Sequence, residues 1–261
     1  MKPLSEPLRI IDTHCHFDAP EFDPDREKVL GRARAVGVVA LVLPAVTAAT
    51  WPRLRRVAET PGIYPAYGLH PMFLGEHRSE HVEELRQWLF AERPIAVGEC
   101  GLDFYVSGLE PLRQEEIFRA QLELAREFEL PVIVHARRAV DEVSKHLRRY
   151  PGLRGVVHSF SGSLQQATTF LDLGFKLGIG GPITFERAQR LRRIVAALPV
   201  EALLLETDSP DQPGKFHRGE RNEPAFLTEV LDTIATLRDV EPHVLAAACN
   251  GNACELFGIE L

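Results

Sequence analysis

The chain is 261 residues long, with 45% hydrophobic and 26% charged residues, the balance of an ordinary globular protein. No apolar run nears the roughly 20 residues of a membrane helix, the opening Met1-Lys2-Pro3-Leu4-Ser5-Glu6 has no apolar leader, and the four cysteines (Cys15, Cys100, Cys249, Cys254) form no C-x-x-C pair, so thiols in a reducing cytoplasm are expected. A net charge of -7 argues against a broad electropositive surface for gripping duplex nucleic acid, while a small phosphate substrate or the end of one strand needs only a local arginine cluster.

Short apolar or β-branched runs recur along the chain, each followed by a stretch of helical periodicity. Strands are predicted at 10–14, 38–43, 64–68, 95–98, 131–134, 155–157, 175–179 and 202–205. Helices are predicted at 25–36, 48–59, 79–91, 110–127, 139–149, 164–173, 186–197 and 224–237, with a last helix at 242–257 expected to pack outside these units. In 110–127, for example, Leu112, Ile117, Phe118, Leu122, Leu124 and Ala125 follow the spacing of one helix face. Hydrophobic strands alternating with amphipathic helices indicate a parallel sheet covered on both faces. Eight such units at this length favour a (β/α)8 TIM-type barrel of the α/β class over an open sheet. No linker, repeat or low-complexity segment interrupts the pattern, so 1–261 reads as a single barrel domain.

The first strand runs into Asp12-Thr13-His14-Cys15-His16-Phe17-Asp18. In extended backbone alternate residues share a face, so His14 and His16 point the same way, while Cys15 turns to the opposite side and reads as packing. Two imidazoles a strand pitch apart can reach one divalent cation. Further residues able to bind metal fall where later strands end: His70 in Gly68-Leu69-His70-Pro71, Glu99 in Gly98-Glu99-Cys100-Gly101-Leu102-Asp103, and His135 after the fifth strand. His158 opens His158-Ser159-Phe160-Ser161-Gly162, and Asp208 lies in Glu206-Thr207-Asp208-Ser209-Pro210. In a closed barrel the C-terminal strand ends form one rim, on which residues distant in sequence converge.

His14, His16, Glu99, His135, His158 and Asp208 supply four imidazoles and two carboxylates, too many for one tetrahedral ion and enough for two. The expected arrangement places His14, His16 and Asp208 on one ion and His135 and His158 on the other. Glu99 would bridge them, with ligation of a single ion or orientation of water as its alternatives. Two cations about 3.5–4 Å apart lower the pKa of a shared water and clamp the attacking and leaving oxygens of a phosphoryl displacement. Two divalent ions, of zinc, manganese or magnesium, are therefore the expected cofactors.

These motifs, together with Arg221-Asn222-Glu223-Pro224, stand in the order seen in the TatD family of metal-dependent hydrolases, which the chain resembles from residue 10 to about residue 257. The start at Asp12-Thr13-His14-Cys15-His16-Phe17-Asp18 and the stretch Ser161-Gly162-Ser163-Leu164-Gln165-Gln166-Ala167 are most similar to its YjjV-type branch. The resemblance implies a (β/α)8 barrel, a divalent-metal site on the same six residues and, for characterised members, deoxyribonuclease activity. Near the end the chain reads Ala248-Cys249-Asn250-Gly251-Asn252, where many relatives carry threonines before the Asn, a departure expected to bear on helix packing.

Around the six, Arg137 reads as a guanidinium fork for a phosphate, against a solvated surface arginine. His70 reads as a hydrogen-bond partner of a leaving oxygen or of a ligand, against a turn residue before Pro71. Asp103 is expected to orient a ligand or accept a loop amide, and Asn222 and Glu223 to brace the rim. For Glu223, stabilisation of a first helical turn is itself a sufficient reason. Cys100 reads as packing, and Arg187, Arg190, Arg192 and Arg193 as a solvated helix face.

The expected reaction is attack of metal-bound hydroxide on phosphorus, with Asp208 as proton acceptor and Arg137 on a phosphate oxygen. The substrate is a DNA strand or a small phosphoester, with no membrane and no obligate protein partner. Two alternatives stand beside it. One is an amidohydrolase cleaving a small molecule's C–N or C–O bond, although such enzymes often bridge their metals with a modified lysine where this chain has Glu99. The other is a non-catalytic metal-binding scaffold.

Overall fold

The structure, a computed structural model, describes residues 8–260; the opening segment read above for an apolar leader lies outside the described residues. Eight parallel strands run in sequential order: β1 (Ile10–Asp12), β2 (Val38–Pro44), β3 (Ile63–Tyr67), β4 (Ala96–Asp103), β5 (Val132–Arg137), β6 (Gly155–Val157), β7 (Phe175–Ile179) and β8 (Leu203–Leu205). Between and after them lie α1 (Arg26–Ala35), α2 (Trp51–Ala58), α3 (Glu80–Glu92), α4 (Pro111–Glu127), α5 (Val140–Leu147), α6 (Leu164–Asp172), α7 (Gln189–Ala197), α8 (Leu227–Arg238) and α9 (Pro242–Phe257). The sheet is nearly closed into a barrel. Across the seam, just past the strand ends, the Thr13 amide donates to Leu205 O (2.9 Å), the Asp208 amide to His14 O (2.9 Å) and the His16 amide to Ser209 O (2.7 Å).

Period-two alternation divides the strand residues between two cores. Leu41, Leu43, Val132, Val134, Leu203 and Leu205 face outward and pack under the helices. Ala40, Val42, Ile133, Val156 and Leu204 face inward, with Ile11, Ala66 and Ala96 beside them. Because both faces are buried, the strands read as continuous apolar runs.

The last helix departs from expectation. Rather than packing outside the barrel, α9 sends Ala253, Leu256 and Phe257, with Ile259 beyond it, into the same cluster as the inward strand residues, so its C-terminal end plugs the barrel. Asn250 pins it by donating to Arg9 O (2.8 Å) and accepting the Ile11 amide (3.1 Å), and Asn252 donates to Leu203 O (2.9 Å). The run Ala246, Cys249 and Ala253 is therefore buried packing surface. Two strands also run three or more residues past their predicted ends: β4 continues through Glu99 to Asp103 and β5 through His135 to Arg137. Polar residues inside a strand hide it from a reading based on hydrophobicity.

Candidate metal centre

Continuing the inward register by two residues beyond the apolar layer leads from Ile133 to His135, from Val156 to His158 and from Leu204 to Glu206. The polar floor is thus the next layer of the barrel, at the C-terminal strand ends. Two glycines make room for it. A Cβ on Gly178 would stand 2.0 Å from Glu206 Oε2, and Gly101, at φ +139, lets β4 approach the His135 carbonyl, which a Cβ would meet at 2.1 Å.

Glu99 occupies the middle, and its two oxygens face different partners. Oε2 lies 3.2 Å from His14 Nε2 and 3.6 Å from His16 Nε2. Oε1 lies 2.8 Å from His158 Nε2, 2.9 Å from His135 Nδ1 and 2.8 Å from His70 Nε2. Asp208 Oδ1 joins the first side at 3.4 Å from His14 and 3.6 Å from His16, while its Oδ2 accepts the Gln212 amide. The rings of His14 and His158 stack at 3.9 Å, linking the two sides. All six predicted residues therefore meet in one cluster, although β1 ends at Asp12 and carries neither histidine. Past β1 the amides of Thr13 and Cys15 still donate to the flanking strands, to Leu205 O (2.9 Å) and Val42 O (3.1 Å), and His14 and His16, two residues apart, point the same way, toward Glu99 Oε2.

Hydrogen bonds around the cluster sort its histidines. His70 Nδ1 accepts the Met72 amide (3.1 Å), so its Nε2 carries the proton given to Glu99 and has no lone pair for a cation. His135 is the reverse case: Nε2 is held by Asp103 Oδ2 at 2.9 Å, leaving Nδ1 to face Glu99 and His158. Asp103 also accepts the loop amides expected of it, those of Tyr105 (2.8 Å) and Val106 (3.0 Å), at its Oδ1. Arg137 stands half-exposed at the rim, 4.0 Å from Asp103 Oδ2, its guanidinium 3.8 Å over the Tyr105 ring.

Electrostatics keep charge concentrated on Glu99. Burial works against its ionised form, but His158, His70 and His14 around it hold its carboxyl well below the ordinary range. Burial also opposes charge on His158, yet Glu99 and Glu206 lift that imidazole to about 10. Burial, helped by the neighbouring His135 and His16, brings His70 down to about 4 against the pull of Glu99, and burial, helped by Asp208 and Asp12, pushes Glu206 up to about 8 against the pull of His158. His14 Nδ1 and Nε2, Glu99 Oε2 and His158 Nδ1 are buried without a hydrogen-bond partner. Of these, His14 Nε2 and Glu99 Oε2 face each other across 3.2 Å; lone pairs that converge in this way are unfavourable by themselves, and a divalent cation satisfies them. His14, His16 and Asp208 offer atoms close enough to hold one, and so do His14, Glu99 and His158.

The loop after β8 is braced as the sequence suggested, with one change. Asn222 donates to Thr207 O (2.8 Å) and Asp211 O (2.7 Å). The Glu223 carboxylate does more than favour a helix start: it lies between Arg32 (2.8 Å) and Arg221 (2.9 Å) and ties α1 to this loop. Arg190 and Arg192 are likewise not free surface, since they cap the carbonyls of Ser161 (2.7 Å) and Ile183 (2.9 Å). Cys15 and Cys100 are buried and free, as expected. Sequence reasoning overlooked Glu206, Gln212, Asp12 and Tyr105. Period-two counting from Leu204 would have found Glu206; Asp12, which accepts both the amide and the hydroxyl of Thr207, has no signal of its own.

A family model described as TatD related DNase matches residues 11–258. The chain belongs to the TatD family. Among family relatives, a protein of Escherichia coli K12 described as an uncharacterized metal-dependent hydrolase, YjjV, is 43% identical over 256 residues, covering 96% of this chain and 98% of its own. The crystal structure of that TatD homolog superposes with a TM-score of 0.93 over 97% of this chain and 99% of its own, at 41% identity. A Pantoea protein named 3'-5' ssDNA/RNA exonuclease TatD is 35% identical over 95% of this chain and 99% of its own length. No helix among the described residues is long and apolar enough to cross a membrane.

Proposed function

We propose that this protein is a metal-dependent hydrolase of phosphodiester bonds that acts on a DNA strand. The observation that carries the reading is the division of Glu99, which turns one oxygen to His14 and His16 and the other to His135 and His158. His14, His16 and Asp208 would hold one divalent ion of zinc, manganese or magnesium and His135 and His158 a second, with Glu99 able to offer an oxygen to each. The exonuclease name of a relative and the DNase description of the family support phosphodiesters over amides.

Bound there, the cations supply Lewis-acid polarisation of phosphoryl oxygens and a nucleophilic water at neutral pH. The chain's own residues supply the rest. Asp208 would accept a proton from water at Oδ2, the oxygen turned from the imidazole pair and oriented by Gln212. Asp103 fixes the tautomer of His135 through Nε2. His70 holds the Glu99 carboxylate by donating from Nε2, and Arg137 presents its fork to a phosphate oxygen at the rim.

The test measures metal content by elemental analysis on the same preparation assayed for nucleotide release from single-stranded DNA with each metal. The expected result is metal-dependent release, reduced on the order of 10³-fold in Asp208→Asn, the scale of losing one group that acts in the transition state. Full activity in that folded variant refutes the role of Asp208. Bound metal with no release from any strand refutes the nuclease reading.

A further inference from the structure

The cavity above the polar floor is larger and more apolar than a phosphate needs. It encloses about 1010 Å³, at the upper end of sites that hold a whole organic ligand. The turn Pro71–Glu76, which follows His70, puts Met72 and Phe73 on its wall, each 39% exposed. Phe73 is one ring away from the centre: it stands edge-on to His70 at 5.8 Å, and His70 in turn donates to Glu99. Phe160, Pro182 and Leu191 line the same cavity as further apolar surface. Arg137 also lines it, stacked on Tyr105.

A flat apolar ring beside a phosphoryl-binding floor, with a guanidinium at the same mouth, matches a nucleotide part by part. Aromatic side chains accept any base through its π face, and such stacking is sequence-tolerant. A ring exposed at a cavity mouth and packed on a site residue is placed to meet substrate, whereas an isolated surface ring is not. We propose that Phe73 is the stacking platform for the nucleobase next to the scissile phosphate, and that Tyr105 positions Arg137 for a neighbouring phosphate. This rests on the phosphodiesterase reading above and adds to it the part of the substrate that is recognised. A substrate with a planar base is favoured over an aliphatic phosphoester, and no particular base is required.

The experiment uses the protein as purified and an internally labelled oligothymidylate with phosphorothioate links, which resist hydrolysis, so that anisotropy reads binding alone. A second strand is identical except for abasic residues at both ends. Wild-type protein is expected to prefer the base-bearing strand by about tenfold, the scale of one base on one ring. In Phe73→Ala the preference disappears: the losses from removing the ring and from removing the base are one loss and do not add. Phe73→Trp keeps the preference. Phe73→Leu, which keeps apolar bulk without a π face, loses it. Because Phe73 lies at the surface, circular dichroism serves to show that each variant is folded. A preference retained in Phe73→Ala, or absent from wild-type protein that cleaves ordinary strands, overturns the platform and leaves the phosphodiesterase reading standing. Wild-type protein that neither binds nor cleaves any strand overturns both.

Discussion

The two ends of this barrel are built from the same register and serve opposite ends. Toward the N-terminal strand ends, Ile11, Val42, Ile133, Val156 and Leu204 meet Leu256, Phe257 and Ile259, an apolar layer with a helical plug. Two residues further along the same strands, the inward positions hold His135, His158 and Glu206. The lower layer is satisfied by burial alone. The upper one leaves buried nitrogens and oxygens without partners and holds two non-glycine residues, Ser159 (φ 46) and Asp208 (φ 58), in the left-handed region. Stability is concentrated in one layer, and the groups able to hold a cation lie in the one above it.

Exchanging one residue in each layer should separate these roles. Glu99→Gln keeps the volume and removes the charge shared by both sides of the centre. Hydrolysis is expected to fall on the order of 10³-fold and bound metal to drop, with the far-ultraviolet dichroism of the barrel retained. Phe257→Ala does the reverse. Removing a buried ring typically costs about 3–5 kcal/mol, which at this size lowers Tm by roughly 6–20 °C, while activity per folded molecule stays near wild type. If Phe257→Ala abolishes activity well below its Tm, the two layers are not separable.

The same division governs what could be read from the sequence. The apolar layer announces itself: hydrophobic runs at regular spacing gave eight strands and nine helices whose boundaries mostly agree to within a few residues. The residues of the centre were legible because histidines and carboxylates closed those runs. What stayed hidden was relational. Nothing local shows that α9 turns its last turn inward, since its apolar residues suit an outer face equally well; only its contact with Ile11 and Leu204 distinguishes the two. The tautomer of His70 depends on the Met72 amide, and the duty of Glu223 depends on Arg32, 191 residues away. These are partnerships set by folding, and residue type alone carries no trace of them.

A smaller effect tests how far the upper layer depends on support from outside the cluster. In Asp103→Asn the amide no longer matches the His135 Nε2 proton, so the ring loses the anchor that keeps Nδ1 turned to Glu99. Supporting groups of this kind are worth about 10–100-fold in metal affinity or activity. Metal titration by calorimetry checks this, and equal affinity in the variant would assign Asp103 to the Tyr105 and Val106 loop alone.

The smallest expected effect lies further out, at the clamp that joins α1 to the loop carrying Asp208. Burial opposes ionisation of Glu223, but its bonds to Arg32 and Arg221 hold its carboxyl below the usual carboxylate value. A folded-state pKa lower than the unfolded one gives stability that is present above the unfolded value, about 4.3 for Glu, and is lost as pH falls through the folded one. Glu223→Gln should therefore lower stability by about 1 kcal/mol at neutral pH, the scale of a partly exposed ion pair, and the gap to wild type should close on acidification. Thermal unfolding of both proteins from neutral to acid pH measures it. A gap that persists unchanged below the carboxylate range would mean that Glu223 acts through its shape and neutral hydrogen bonds, so that the clamp holds the Asp208 loop without need of the charge.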